Sequence, residues 1–223
     1  DRTTVGKAEK MKVGTCLNPL HTALAVYGCL LGYTSIAAEM GDADLNARVE
    51  QIAAESLPVV EDPGILSPRA FIDEVLHERF PNPAIPDTPQ RIAADTSQKL
   101  PVRYGGTLRR YARQSEQALA GLEFAPLVFA GWCRYLLGVD DRGNAMPVSP
   151  DPMLPQLQAH LKGIEVGRPD SLAGQLRPIL SNAALFGVDL YAAGLGERTE
   201  EMFRDMLAGP GAVRATLRRN CAC

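Results

Sequence analysis

The most apolar part of the chain runs from Lys12 to Met40, KVGTCLNPLHTALAVYGCLLGYTSIAAEM, and after Lys12 no charged side chain appears until Glu39. Leu20, Ala23, Leu24, Tyr27, Leu30 and Leu31 recur at helical spacing, while Ala25, Val26 and Cys29 fill the other faces. A helix that is apolar all round lies either in a core or in a bilayer. Asn18, His21, Thr22, Thr34 and Ser35 make a poor membrane span of about 20 apolar residues, so the pattern predicts a buried central helix of a globular protein.

The remaining pattern is also helical. Residues 3–12 predict a short helix leading into the central one, and 42–56 an amphipathic helix with Leu45, Val49 and Ile52 on one stripe and Asp42 as its N-cap. Ser67-Pro68 starts another helix, running to about Arg79 with Phe71, Val75 and Leu76 inward. After the proline-punctuated loop PNPAIPDTP, with Asp87 or Thr88 as cap, short helical pieces follow through Arg103. Helices are expected over 104–119, 122–139, 157–162, 171–180, 185–193, 197–207 and 212–219, and 140–155 reads as a turn-rich surface loop. No strand alternation of useful length occurs. The expected fold is all-α, a multi-helix globular domain around one buried helix.

Composition sharpens this only slightly. Across 223 residues the chain is 46% hydrophobic but 6% aromatic, and its formal charge of −3 gives no reason to expect nucleic acid or an anionic membrane as partner. Five scattered cysteines, two of them in the apolar stretch, read as reduced residues of a cytoplasmic protein, and Cys221 and Cys223 form a CxC without redox spacing. No secretory signal pattern opens the chain, which starts at Asp1 without Met and is expected to be a fragment.

Most cofactor motifs are absent. Gly209-Pro210-Gly211 imitates the start of a GxGxxG, but Arg214 stands where the last glycine belongs and no strand precedes it, so it reads as a turn. His21, His77 and His160 are far apart and lack ligand-like neighbours, so no metal is expected. Lys12, Asn18 and His21 remain, clustered where the apolar stretch begins.

The segment EKMKVGTCLNPLHTALAVYGCLLGY resembles the catalytic helix of the mannitol dehydrogenase family, polyol-specific long-chain dehydrogenases that share a K-x4-N-x2-H pattern. RFPNPAIPDTPQRIAADTSQKLPVR resembles the family's substrate-binding segment, and LFGVDLYAAGLGERTEEMFRDMLAGPGAVRATL continues the likeness near the end. The resemblance covers nearly the whole chain. It implies a helical C-terminal domain over 1–223, like those of 6-phosphogluconate dehydrogenase, whose N-terminal dinucleotide-binding domain is absent from this chain. It also implies NAD- or NADP-dependent, metal-independent oxidation of a secondary alcohol in a sugar alcohol or sugar acid. The wording around Lys12 and in LFGVDL and GAVRATL is closer to the fructuronate and mannonate branch than to the mannitol branch.

By motif position Lys12 is then the general base. Lysine amines are ordinarily protonated at neutral pH, so that role asks for burial or a neighbouring cation to favour the neutral form. Asn18 would donate to the oxygen that gains charge, His21 would hold the substrate oxygen, and Glu9 would relay the proton to solvent. Arg91 and Lys99 match substrate-contacting positions, with donors suited to hydroxyls or a carboxylate; the extra cation that a uronate carboxylate needs could come from Arg91, Lys99 or Arg103.

The spacing departs from the family in one respect. Five residues, not four, separate Lys12 from Asn18, and Pro19 follows. At about 100° per residue, nine steps place Lys12 and His21 on opposite faces of a regular helix, whereas eight leave them about 80° apart. An irregularity between Lys12 and Pro19, a π-bulge or a break, is therefore expected to absorb one residue; an unbroken α-helix would make Lys10 the next candidate. Plainer readings stand beside these: Asn18-Pro19 as an N-cap with a first-turn proline, Arg91, Asp95 and Lys99 as a solvated i, i+4 ladder, and Arg214, Arg218 and Arg219 as a solvated helix end. Two other functions fit the same residues, a non-catalytic helical binding module and a relative of the 6-phosphogluconate dehydrogenase domains.

Overall fold

A computed structural model describes residues 2–220; Cys221 and Cys223 lie outside them. α1 (Arg2–Met11) passes directly into a π-helical segment (Lys12–Leu17) and then into α2 (Asn18–Leu31). The expected irregularity is thus present as a π segment. Pro19 has no N–H to give the preceding turn, and the wider π spacing falls where that donor is lost. Asn18 is not a cap, because its φ of −70° and ψ of −32° are helical and the chain is already coiled when it arrives. α2 ends at Gly32, whose φ of 83° is the left-handed conformation of a C-terminal cap.

α3 (Ile36–Met40) is capped by Ser35, and α4 (Ala43–Ser56) by Asp42, whose Oδ1 accepts from the Asp44 and Leu45 amides. α5 (Pro68–Glu74) begins at Ser67-Pro68 and continues as a second π segment (Val75–Arg79). Thr88 caps α6 (Pro89–Ile92), and α7 (Thr96–Arg103), α8 (Gly105–Gln114), α9 (Glu116–Ala120) and α10 (Phe124–Tyr135) follow. α11 (Leu154–His160), α12 (Arg177–Leu180), α13 (Ala183–Phe186), α14 (Gly196–Met206) and α15 (Ala212–Arg219) complete the chain. The described residues contain no strand, only two isolated bridges, Val139 to Ala145 and Glu165 to Arg168.

The structure redraws several expected helices. The span 104–119 divides at Ser115, whose extended backbone (φ −170°) and Oγ start a new helix at Glu116. Within 171–180 only the last turn is α-helical, because the Gln175 side chain folds back on Ser171 O and the Ala173 amide. The helix expected over 185–193 is one turn that Gly187 ends.

α2 is buried from Pro19 to Leu30 and lies against α10, which is buried throughout. They pack tightly at Gly131, where a Cβ would stand 2.6 Å from the Tyr27 phenol, and Tyr27 Oη donates to Leu127 O at 2.5 Å. Tyr104, Phe129, Trp132 and Phe186 form an aromatic cluster beside this contact. Arg134 is fully buried, yet its guanidinium donates to the carbonyls of Met206, Val139 and Asp140. Nor is the C-terminal helix merely solvated: Arg214 pairs with Asp42 and Asp44, Arg218 with Asp44, and Arg219 with Asp205. No helix among the described residues is long and apolar enough to cross a membrane.

Candidate active site

The π segment decides how Lys12 and His21 are turned relative to each other. An i→i+5 turn takes one residue more than an α turn, so the nine residues from Lys12 to His21 advance like about eight α-helical steps and leave the two about 80° apart. Lys12 Nζ lies over the Phe71 ring, 5.3 Å from its centroid, and His21 stacks on Phe80 at 5.2 Å. Phe71 and Phe80 are also nine residues apart, with the second π segment between them. The two stretches therefore run side by side in the same direction, each loosened by one π segment, and stay in register over both contacts.

His21 is buried, and its Nε2 stands 3.3 Å from Asp87 Oδ2 without the alignment of a hydrogen bond, so this buried nitrogen has no hydrogen-bond partner. Burial pushes the imidazole down to about 4; Asp87 opposes this, while Arg103, Arg79 and Arg91 add to it. At neutral pH His21 is uncharged, with one ring nitrogen to donate and the other to accept. Asn18, one turn earlier, is half-buried, and no protein group among the described residues engages its amide. Its carbonyl accepts from Thr22 Oγ1 at 2.9 Å, and Tyr104 Oη holds Pro19 O at 2.7 Å. The turn is pinned by its backbone, leaving the Asn18 amide and the His21 ring for a ligand.

Asp87 organises the far side. It pairs with Arg91 and faces His21, and its carbonyl accepts from the Ile36 amide at 3.0 Å. Lys99 donates to Ala94 O and, at 3.0 Å, to Ile92 O; burial and then Arg103 lower its pKa. The ladder Arg91–Asp95–Lys99 does not form, because Asp95 takes φ 54° between α6 and α7 and breaks the helical spacing. Arg91 and Arg103 act on His21 as cations, and Lys99 lies beside both of them.

Two of the candidate residues lie elsewhere. Lys12 is exposed rather than dry. Glu9 faces a groove of about 820 Å³ with Lys10, Val13, Pro101, Arg109 and Arg110, and no ion pair joins it to Lys12. Phe80, Arg79 and Thr22 belong to the site, although pattern alone gave no reason to choose them. The i, i+4 relation of Asp87 to Arg91 was a legible sign of their pairing. No group of three or more His, Cys, Asp or Glu among the described residues stands together as a metal-ligand set.

Comparison with known proteins bears on the fold and family of the chain. The mannitol dehydrogenase C-terminal domain model matches residues 5–201. The D-mannonate oxidoreductase of Thermotoga maritima is 55% identical over 217 residues, which are 97% of this chain and 40% of that protein. The Escherichia coli D-mannonate oxidoreductase is 32% identical over 183 residues, 82% of this chain and 35% of that protein. The structure of Pseudomonas fluorescens mannitol 2-dehydrogenase in ternary complex with NAD and D-mannitol superposes with a TM-score of 0.76 at 28% identity, covering 96% of this chain and 40% of that one. The chain spans about two fifths of the length of the relatives it matches. With the family model covering most of the sequence and the same helical fold in its relatives, the chain belongs to the mannitol dehydrogenase C-terminal domain family.

Proposed function

We propose that this chain is the substrate-binding and proton-handling part of a nicotinamide-dependent oxidoreductase that interconverts a secondary alcohol and its ketone, with an aldonate such as mannonate as preferred substrate. The observation that carries the reading is the buried, unpartnered Nε2 of His21, set one turn from a free Asn18 amide. Two neutral donor–acceptor groups on one rigid turn suit a hydroxyl that becomes an alkoxide and then a carbonyl. The preference for a sugar acid rests on the cations Arg91, Lys99 and Arg103 and on the 55% identity with a D-mannonate oxidoreductase.

In this reading Lys12 takes the hydroxyl proton, Asn18 stabilises the oxygen as charge builds, and His21 orients it. Glu9, exposed three residues before Lys12, passes the proton to water. Arg91 and Lys99 address the rest of the substrate. Lys12 works as a base only when its face is covered, and a dinucleotide-binding portion outside residues 1–223 supplies that cover. Residues 2–220 offer no dinucleotide cradle: the Gly209–Gly211 turn follows no strand, and the Gly211 amide donates to Asp141 O. In the proposed division of labour, hydride passes to a nicotinamide held by a further portion of the enzyme, and this chain contributes the proton side of the reaction.

Turnover of D-mannonate, D-altronate, D-mannitol and D-arabinitol by the whole enzyme, with NAD and with NADP, tests this. Oxidation of an aldonate with the highest kcat/KM is expected. Failure to oxidise any of the four with either nucleotide would contradict it.

A further inference from the structure

The turn of α2 that carries Asn18 and His21 is held from outside by a guanidinium. Arg103, the last residue of α7, donates from Nη1 to Thr22 Oγ1 at 2.5 Å, and that hydroxyl donates to Asn18 O at 2.9 Å. Arginine has five N–H donors and a permanent charge, and here one neutral hydroxyl is the partner that engages it. Two carboxylates that act on the neighbouring His21 and Lys99 are committed to other partners. Asp87 holds Arg91, and Asp151 accepts from the Ser97 amide, the Ser97 hydroxyl and the Met153 amide.

Arg103 is half-buried, and burial lowers its pKa with no carboxylate nearby to restore it. Lys99 feels it as a second cation, and His21 feels it more than Arg79 or Arg91. A partly desolvated cation beside another cation, without an anion, costs free energy that an arriving anion would relieve. The planar fork of a guanidinium matches a carboxylate in two parallel hydrogen bonds, which an ammonium cannot reproduce.

We propose that Arg103 is the specificity-determining residue for a carboxylate group on the substrate. The inference rests on the function proposed above and deepens it. While Asn18 and His21 address the hydroxyl being oxidised, the unused donors of Arg103 take the acid end of the sugar. An uncharged alditol leaves those donors unpaired, so the same residue selects against it.

Steady-state kinetics of the whole enzyme with D-mannonate and D-mannitol, for the wild type, Arg103→Gln and Arg103→Lys, tests the assignment. In Arg103→Gln the ratio of kcat/KM for mannonate to that for mannitol is expected to fall by about a hundredfold, chiefly through KM for mannonate. Arg103→Lys keeps the charge but loses the fork, so its ratio should fall by about tenfold. Should Arg103→Gln fail to fold, the lysine variant carries the same comparison. Equal losses on both substrates would make Arg103 a mere support for Thr22 and overturn the proposal, as would an unchanged ratio. A wild type inactive on both compounds would instead overturn the functional reading, whereas a mannonate-active enzyme whose variants keep its preference overturns this inference alone.

Discussion

His21 and Glu39 sit on opposite sides of the same pH problem. Burial holds His21 at about 4, below its ordinary 6.5, so the unfolded chain binds the extra proton and stability is lost as pH falls from 6.5 towards 4, by about 3 kcal/mol. Glu39 is fully buried under Gly28, where a Cβ would stand 2.3 Å from its Oε1, and neither carboxyl oxygen has a hydrogen-bond partner. Burial, aided by Asp42, raises it from 4.5 to about 10, so the folded state keeps a proton that the unfolded chain releases. Stability therefore declines as pH rises from 4.5 towards 10, and the two slopes offset each other between 4.5 and 6.5. Melting temperatures measured across pH should show a maximum in that window. In Glu39→Gln the decline above pH 6.5 should disappear while the acid limb remains; an unchanged alkaline limb would contradict the assignment.

At the same scale, Gly131 is required by contact rather than by conformation. A methyl group there would enter the Tyr27 phenol, which is hydrogen-bonded to Leu127 O and has nowhere to move. Gly131→Ala is expected to cost about 2 kcal/mol by over-packing, a drop of several degrees in Tm. A variant as stable as the wild type would show that α2 and α10 part easily.

Among the elements, the two π segments matter most. Deleting Gly14 leaves Lys12 and His21 eight residues apart, which on a regular α-helix is the same angular relation of about 80° that the π segment now produces. The deletion variant should therefore keep turnover, whereas inserting an alanine after Gly14 should abolish it. Circular dichroism would check that both remain folded. The first π segment was legible because one surplus residue in a spaced motif has to go somewhere, and Pro19 showed where the ladder was weak. The second, Val75–Arg79, left no such mark, since nothing in VLHER conflicts with an α-helix. Helix starts at Asp42, Ser67 and Thr88 were readable because each cap is a local hydrogen bond. The break at Ser115 and the partners of Arg214 were not: a side chain in an amphipathic run gives no sign of which distant carboxylate it will meet. That Asn18 and His21 share one turn was readable from their spacing, but the exposure of Lys12 was not, because burial depends on what covers a surface.

At the level of the whole molecule, the C-terminal helix closes the fold through Arg214, which bridges Asp42 and Asp44 at the start of α4. Asp42 also accepts from Tyr33 Oη, so this one cap joins the turn that follows α2 with α4 and α15. Arg214→Ala is expected to lower stability by about 2 kcal/mol, read as a lower midpoint of chemical denaturation with unchanged slope. Val13 and Val102 stand exposed along one groove, and on the function proposed above a nucleotide-binding portion would cover the exposed Lys12 nearby in sequence.

That dependence leads to one decisive measurement, turnover of D-mannonate by the whole enzyme carrying Lys12→Ala, with and without added methylamine. Loss of a general base should reduce kcat by about a thousandfold. A small amine diffusing into the vacated space should restore part of the rate, in proportion to its free-base concentration. A variant that keeps its rate to within a few fold, or a large loss that no amine rescues, would contradict the account of Lys12 as the proton acceptor.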